Sequence, residues 1–184
     1  IPLAVAGWNM IIITQNELKS AANDELGTVA LQVSKEIDNS FINTWVAPLL
    51  LIRNAFDNDE MGVNEKISLF NSINEIRDIV SLQLTVEGAP EPVLVVQELF
   101  KARLENKNLD PAVMLQVPLE QVPLSGGFGR SAREMISTGQ LKYIKPIDTW
   151  LLTVNTRLQS KIMDSPAVLS ARINLYRLRA TILN

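Results

Sequence analysis

From Gln15 to Phe56 the apolar residues Leu18, Ala22, Leu26, Val29, Val33, Ile37, Phe41 and Trp45 recur in steps of three and four. This is one helical stripe with a period near 3.6. Glu17, Lys19, Asp24, Lys35, Glu36 and Asp38 fall largely off it. No proline interrupts the stripe before Pro48, where a kink is expected. At about 1.5 Å per residue such a helix reaches roughly 60 Å, more than a compact domain needs, so it is expected to bridge two bodies or to pack with one half and project with the other.

Asp57-Asn58-Asp59-Glu60-Met61-Gly62 reads as a solvated turn, and its carboxylates lack the spacing of a calcium loop. A short helix with Ile67, Leu69, Phe70, Ile73 and Ile76 follows, with Asn64 as its expected cap. After Asp78 the period changes to two. Val80, Leu82, Leu84 and Val86 alternate with Ser81, Gln83, Thr85 and Glu87, which predicts a half-buried strand. Gly88-Ala89-Pro90-Glu91-Pro92 turns the chain into a second strand, Val93-Leu94-Val95-Val96. Residues 97–106 read as helical, 107–129 as irregular, and 130–137 as a short helical stretch. Strands are expected near 140–146, 149–158 and 167–175, and 175–183 can turn helical. Adjacent strands with hairpin-length connections predict an α+β fold, a long N-terminal helix on one antiparallel sheet of about five strands.

Three polar rows accompany this alternation: Ser81/Gln83/Thr85, Thr153/Asn155/Arg157 and Ser170/Arg172/Asn174. They form either a wet sheet face or, if 107–129 covers them, the wall of a polar pocket; the pattern leaves both open.

Composition narrows the chemistry. The 184 residues are 47% hydrophobic and 20% charged, enough to bury a core, and the net charge of −3 gives no footprint for nucleic acid. Cysteine and histidine are both absent, which removes zinc ribbons, thiol nucleophiles and imidazole-based triads. Gly126-Gly127-Phe128-Gly129 lacks the Lys-Ser/Thr of a phosphate loop. No nucleophile–base pair stands at a meaningful spacing, so this segment is expected not to be an enzyme, and no cofactor or metal is implied. The run from Ile1 to Ile13 is almost wholly apolar but shorter than the roughly 20 residues that cross a bilayer. It reads as the end of a membrane helix with Trp8 at interfacial depth, against the alternatives of a signal-peptide remnant or an ordinary buried helix. The expected organisation is therefore 1–14 as the end of a membrane helix, 15–57 as the long helix and 58–184 as the sheet domain.

The order of elements resembles the Cache family of extracytoplasmic PAS-like sensor domains. The resemblance rests on Pro48-Leu49 near the end of the long helix, Ile79-Val80-Ser81-Leu82-Gln83-Leu84 opening the sheet, and Arg130-Ser131-Ala132-Arg133 with Gly139. Pro146-Ile147-Asp148, Trp150-Leu151-Leu152-Thr153-Val154 and Val168 to Leu175 follow in the family's order. It implies a domain between two membrane helices, in the periplasm and anchored in the inner membrane, that binds a small molecule and controls a cytoplasmic output module. The family's amino-acid binders carry an Arg-x-Trp-Tyr run, a later Tyr and a last-strand Asp for the ligand ammonium. Here Arg130 takes the Arg position, Ala132 and Arg133 replace the aromatics, Ile147 stands at the later Tyr position with Tyr143 nearby, and Arg172 replaces the Asp.

A cation does not balance an ammonium, whereas guanidinium forks match carboxylates, so Arg130, Arg133 and Arg172 are expected to meet round a small anion. Tyr143 and Asp148 are the expected orienting contacts. The plainer reading of each arginine is solvated surface. The leading function is thus a ligand-sensing module of a membrane receptor. The alternative is a structural or dimerisation module that pairs with a second copy through its long helix, whose near-heptad stripe allows a parallel pair without requiring one.

Overall fold

The computed structural model describes residues 19, 22–39, 41–124, 134–162 and 164–176. Two compact units divide the chain between Asn39 and Ser40. The first contains helix α1, residues 22–39, along which Leu26 and Val29 are exposed and Val33 and Ile37 half-buried. The second opens with a π-helical turn, Phe41–Val46, followed by α2, Ala47–Asp57. The expected helix over 15–56 is thus helical throughout its described part. Pro48 sits in the first turn of α2, where its missing N–H is tolerated, and the widened π turn lies directly before it.

After α3, Val63–Asn71, and a 3₁₀ turn, Ser72–Glu75, the sheet begins. Gly62, not Asn64, caps α3: its N–H donates to Glu65 Oε2 at 2.9 Å, and its carbonyl accepts the Glu65 and Lys66 N–H groups. The strands are β1, Ile79–Val86; β2, Val93–Val96; β3, Ile136–Ile144; β4, Thr149–Arg157; and β5, Ala167–Asn174. They form one antiparallel sheet in the order β2-β1-β5-β4-β3. Gly88, at φ 80°, supplies the left-handed position of the β1–β2 turn, closed by the Ala89 N–H on the Val86 carbonyl at 3.1 Å.

Three expectations are corrected. Residues 134–137 are not helical, because β3 starts at Ile136, while 130–133 lie outside the described residues. Pro146 does not extend β3: lacking an N–H, it lies in a 3₁₀ turn, Lys145–Ile147, and Asp148 at φ 45° redirects the chain into β4. The region 107–129 is not wholly irregular, since α4, Glu98–Glu105, is followed by α5, Pro111–Leu115. Asp110 caps α5 by accepting the Ala112 N–H at 2.8 Å, with Pro111 in the first turn. The expected apolar end of a membrane helix at 1–14 and the helical segment after 176 lie outside the described residues.

One face of the sheet carries Leu82, Val154, Leu169, Ala171 and Ile173 against Trp45, Leu49, Ile52, Phe70 and Ile73. Trp45, Leu49 and Ile52 continue the sequence stripe, and Phe70 and Ile73 come from α3 and the turn after it. Two polar ties fix the helix layer to the sheet. The Trp45 indole N–H donates to Asp78 Oδ2 at 3.1 Å. Arg53, 2% exposed, donates through Nε to the Arg157 carbonyl at 2.9 Å and lies 3.5 Å from Asp57 Oδ2. Asp57 Oδ1 in turn accepts from Gln159 N, Ser160 N and Ser160 Oγ at 2.8–2.9 Å. Asp57 therefore closes α2 onto the end of β4 and is no part of a solvated turn.

Leu49 and Leu51 give the test of this packing. Leu49 is fully buried and Leu51 is 65% exposed on the same helix. Leu49→Ala is expected to lower unfolding free energy by about 2–5 kcal/mol in denaturant titrations, and Leu51→Ala by no more than about 0.5 kcal/mol.

Candidate functional site

The other face of the sheet holds the polar rows, and they are buried. Ser81, Gln83, Thr85, Thr153, Asn155, Ser170 and Arg172 are each no more than 3% exposed. The half-buried strands expected from alternation are thus covered on both faces. The cover is the segment from α4 onward: Phe100, Leu104 and Leu115 pack with Val80, Ile144, Ile147 and Leu151 at one end, and Val117 and Val122 with Val168 at the other.

Register sets the polar strip in rows. Arg172 pairs with Ser81 on one side and Thr153 on the other, and Ser170 pairs with Gln83 and Asn155. The Gln83 amide acts like one rung of a strand toward the covering segment. It accepts the Val117 N–H at 2.7 Å and donates to the Val117 carbonyl at 2.9 Å and to Thr85 Oγ1 at 3.0 Å. Arg172 donates through Nε to the Leu115 carbonyl at 3.3 Å, through Nη2 to the Gln116 carbonyl at 3.2 Å, and through Nη1 to Thr153 Oγ1. Lys142 Nζ donates to the Met114 carbonyl at 2.7 Å. The two cations thus satisfy three successive carbonyls at the end of α5, groups that a helix terminus leaves without partners of its own.

No acidic side chain stands among the described residues of this strip, so the site is a concentration of positive charge. Burial pushes the Arg172 guanidinium below its ordinary value. Burial first, and then the nearby Arg172 charge, pushes the Lys142 ammonium down. The guanidinium stays charged, and the three bonds above engage three of its five N–H groups. The next row contributes two orphaned atoms, Asn155 Oδ1 and Ser170 Oγ, both buried without a hydrogen-bond partner. Gly139, in the irregular stretch of β3, faces the same place: a Cβ there would lie 3.0 Å from Thr153 Cβ and 3.5 Å from Asn155 Nδ2.

Of the residues singled out from sequence, Arg172 lies in this strip. Tyr143 and Asp148 do not. Tyr143 pairs with Trp150 and stacks on it at 4.7 Å, on the face opposite to Leu151 and Lys142, and its hydroxyl donates to Asp148 Oδ1 at 2.7 Å. Alternation along β3 turns Lys142, one residue earlier, toward Arg172. Arg130 and Arg133 lie outside the described residues. Sequence reasoning overlooked Lys142; the signal was its parity with Ile144 in a strand whose other parity is Leu141 and Tyr143.

No protein-family model and no curated protein matches the chain by sequence. Among solved structures, it is similar to the ligand-binding domain of the Pseudomonas aeruginosa PAO1 amino acid chemoreceptor PctC, in complex with GABA. The TM-score is 0.54 at 11% sequence identity. The two share their fold. The match covers 85% of this chain and 62% of the chemoreceptor domain, so this chain spans less than two thirds of that domain's length. At this identity the likeness establishes the architecture, and the cation pair of Lys142 and Arg172 is read from this chain alone.

The depressed Lys142 pKa makes a pH prediction with a definite sign. Between its lowered folded value and the ordinary 10.5 of the unfolded chain, the unfolded state binds more protons. Stability conferred by this group therefore rises with pH through that window and is at its least below it. Lys142→Met is expected to flatten this rise, read as the difference between the two chains' denaturation free energies from pH 7 to 10.

Proposed function

We propose that the chain is the extracytoplasmic ligand-sensing domain of a membrane receptor, and that it binds a small anion on the covered polar face of its sheet. The observation that carries the reading is the pair of cations, the buried Arg172 and the half-buried Lys142, on one covered strip with no carboxylate among the described residues there. Cations held this way by neutral oxygens retain charge that a carboxylate can balance. The similar chemoreceptor domain is described with an amino acid ligand class and with GABA, a molecule that carries both a carboxylate and an amine. In this chain the carboxylate half of such a ligand has its counterpart, and the strip offers no acid for the amine among its described residues.

The full protein is proposed to be anchored in the inner membrane, with this domain in the periplasm and a cytoplasmic output module beyond. The apolar run at 1–13 and the Cache-type architecture support that placement. Among the described residues no helix is long and apolar enough to cross a membrane. Arg130 and Arg133 remain proposed contributors to the anion site.

A thermal-shift screen of organic acids, sugars and amino acids on the whole chain tests the ligand class. Small carboxylates are expected to raise Tm. Each charged hydrogen bond is worth about 1.5–3 kcal/mol, so Arg172→Gln is expected to weaken their binding by roughly tenfold to a hundredfold. Stabilisation by amino acids alone would overturn the anion reading.

A second reading, a dimerisation module without a ligand, is favoured by one observation. Leu26 is 67% and Val29 52% exposed on α1, on the stripe that also carries Val33 and Ile37. Such a stripe suits pairing with a second copy of the helix. Sedimentation of the parent chain and of a Leu26→Glu, Val29→Glu variant checks it: the parent is expected to dimerise with rising concentration and the variant to stay monomeric.

A further inference from the structure

Within the proposed small-anion site, one row of the polar strip remains unexplained. Arg172 and Lys142 are each bonded to the covering segment, and Gln83 holds Val117 from both sides of its amide. Asn155 and Ser170 hold nothing through Asn155 Oδ1 and Ser170 Oγ, although both residues are at most 2% exposed. A buried polar atom without a partner loses its hydration for no return, so a pair of them in register is a standing destabilisation. They face each other across β4 and β5, one row from the Thr153–Arg172 pair, a separation of about 6.7 Å along the strands. Gly139 of β3 packs closely against the same two residues of β4, so that an added Cβ would lie 3.0 Å from Thr153 Cβ and 3.5 Å from Asn155 Nδ2.

We infer that Asn155 and Ser170 are the specificity half of the site and that they take a hydroxyl group, so the ligand is a hydroxycarboxylate. Its carboxylate goes to the Arg172 and Lys142 end, and its hydroxyl to the Asn155–Ser170 row. A hydroxyl both donates and accepts, so one group satisfies an amide oxygen and a serine oxygen together. A ligand ammonium would meet two cations here, whereas a neutral hydroxyl meets none of that repulsion. This assignment rests on the small-anion reading and adds to it the second functional group of the ligand.

The test uses matched acids on the full chain: lactate against propionate, malate against succinate, and 3-hydroxybutyrate against butyrate. Calorimetric titration is expected to show at least one hydroxylated member binding about three- to tenfold tighter than its deoxy partner, the fold-change of one neutral hydrogen bond. Asn155→Leu and Ser170→Ala are expected to abolish that preference, read as equal affinities of the two members of the pair. Because the orphaned atoms contribute no bond in the ligand-free domain, neither variant is expected to lower its Tm. Equal affinity within every pair overturns the inference and leaves the small-anion reading standing. A preference that persists in both variants, or a Tm that falls in both while the preference is kept, also overturns it and makes the pair structural. If no acid of either kind binds, the small-anion reading itself fails and takes the inference with it.

Discussion

A guanidinium buried to 3% exposure must find oxygens, and the strip around Arg172 offers no carboxylate among its described residues. It is satisfied instead by Thr153 beside it and by the Leu115 and Gln116 carbonyls above it. Much of the second layer follows from that requirement. The end of α5 has carbonyls to give, Lys142 takes the preceding one, and Gln83 holds the next residue by both of its backbone groups. The covering segment is thereby fixed over β1, β5 and β4 by polar bonds as well as by Leu115, Val117 and Val122. Remove the cation and the buried Leu115 carbonyl loses its partner.

β4 is the strand shared by the two layers. Thr153 and Asn155 belong to the polar strip, Val154 to the apolar core with the helices, and the Arg157 carbonyl accepts from Arg53 of α2. Asp57 extends the same connection by holding Gln159 and Ser160 just past the end of the strand. A ligand engaging Asn155 would therefore act on a strand that is bonded, two residues later, to the helix preceding the sheet.

The sheet was largely legible in the sequence because period-two alternation is a local property of five short segments. The site was only partly legible. Arg172 stood out because it takes the position of the last-strand Asp of the resembling family, but Lys142 did not, since one residue of phase along β3 decides whether Lys142 or Tyr143 faces Arg172. The cap of α5 was written in Asp110-Pro111, yet it lay inside a stretch that proline and glycine made look irregular. Asp57 read as part of a solvated turn, and only the arrival of β4 made it and Arg53 a tie between α2 and the sheet.

The sequence by itself determined the element order, the apolar stripe that becomes Trp45, Leu49 and Ile52, and the polar rows of the three central strands. These depend on neighbours within a few positions, where periodicity and turn chemistry act. Tertiary structure alone decided that those rows are covered and not wet. It also decided that Lys142 joins Arg172 and that Asn155 and Ser170 are left without partners. Each of these outcomes depends on which distant segment closes over the sheet and on which of its carbonyls reach a cation. The contacts join residues 28 to 57 positions apart, and hydrophobic patterning says nothing about where such groups meet.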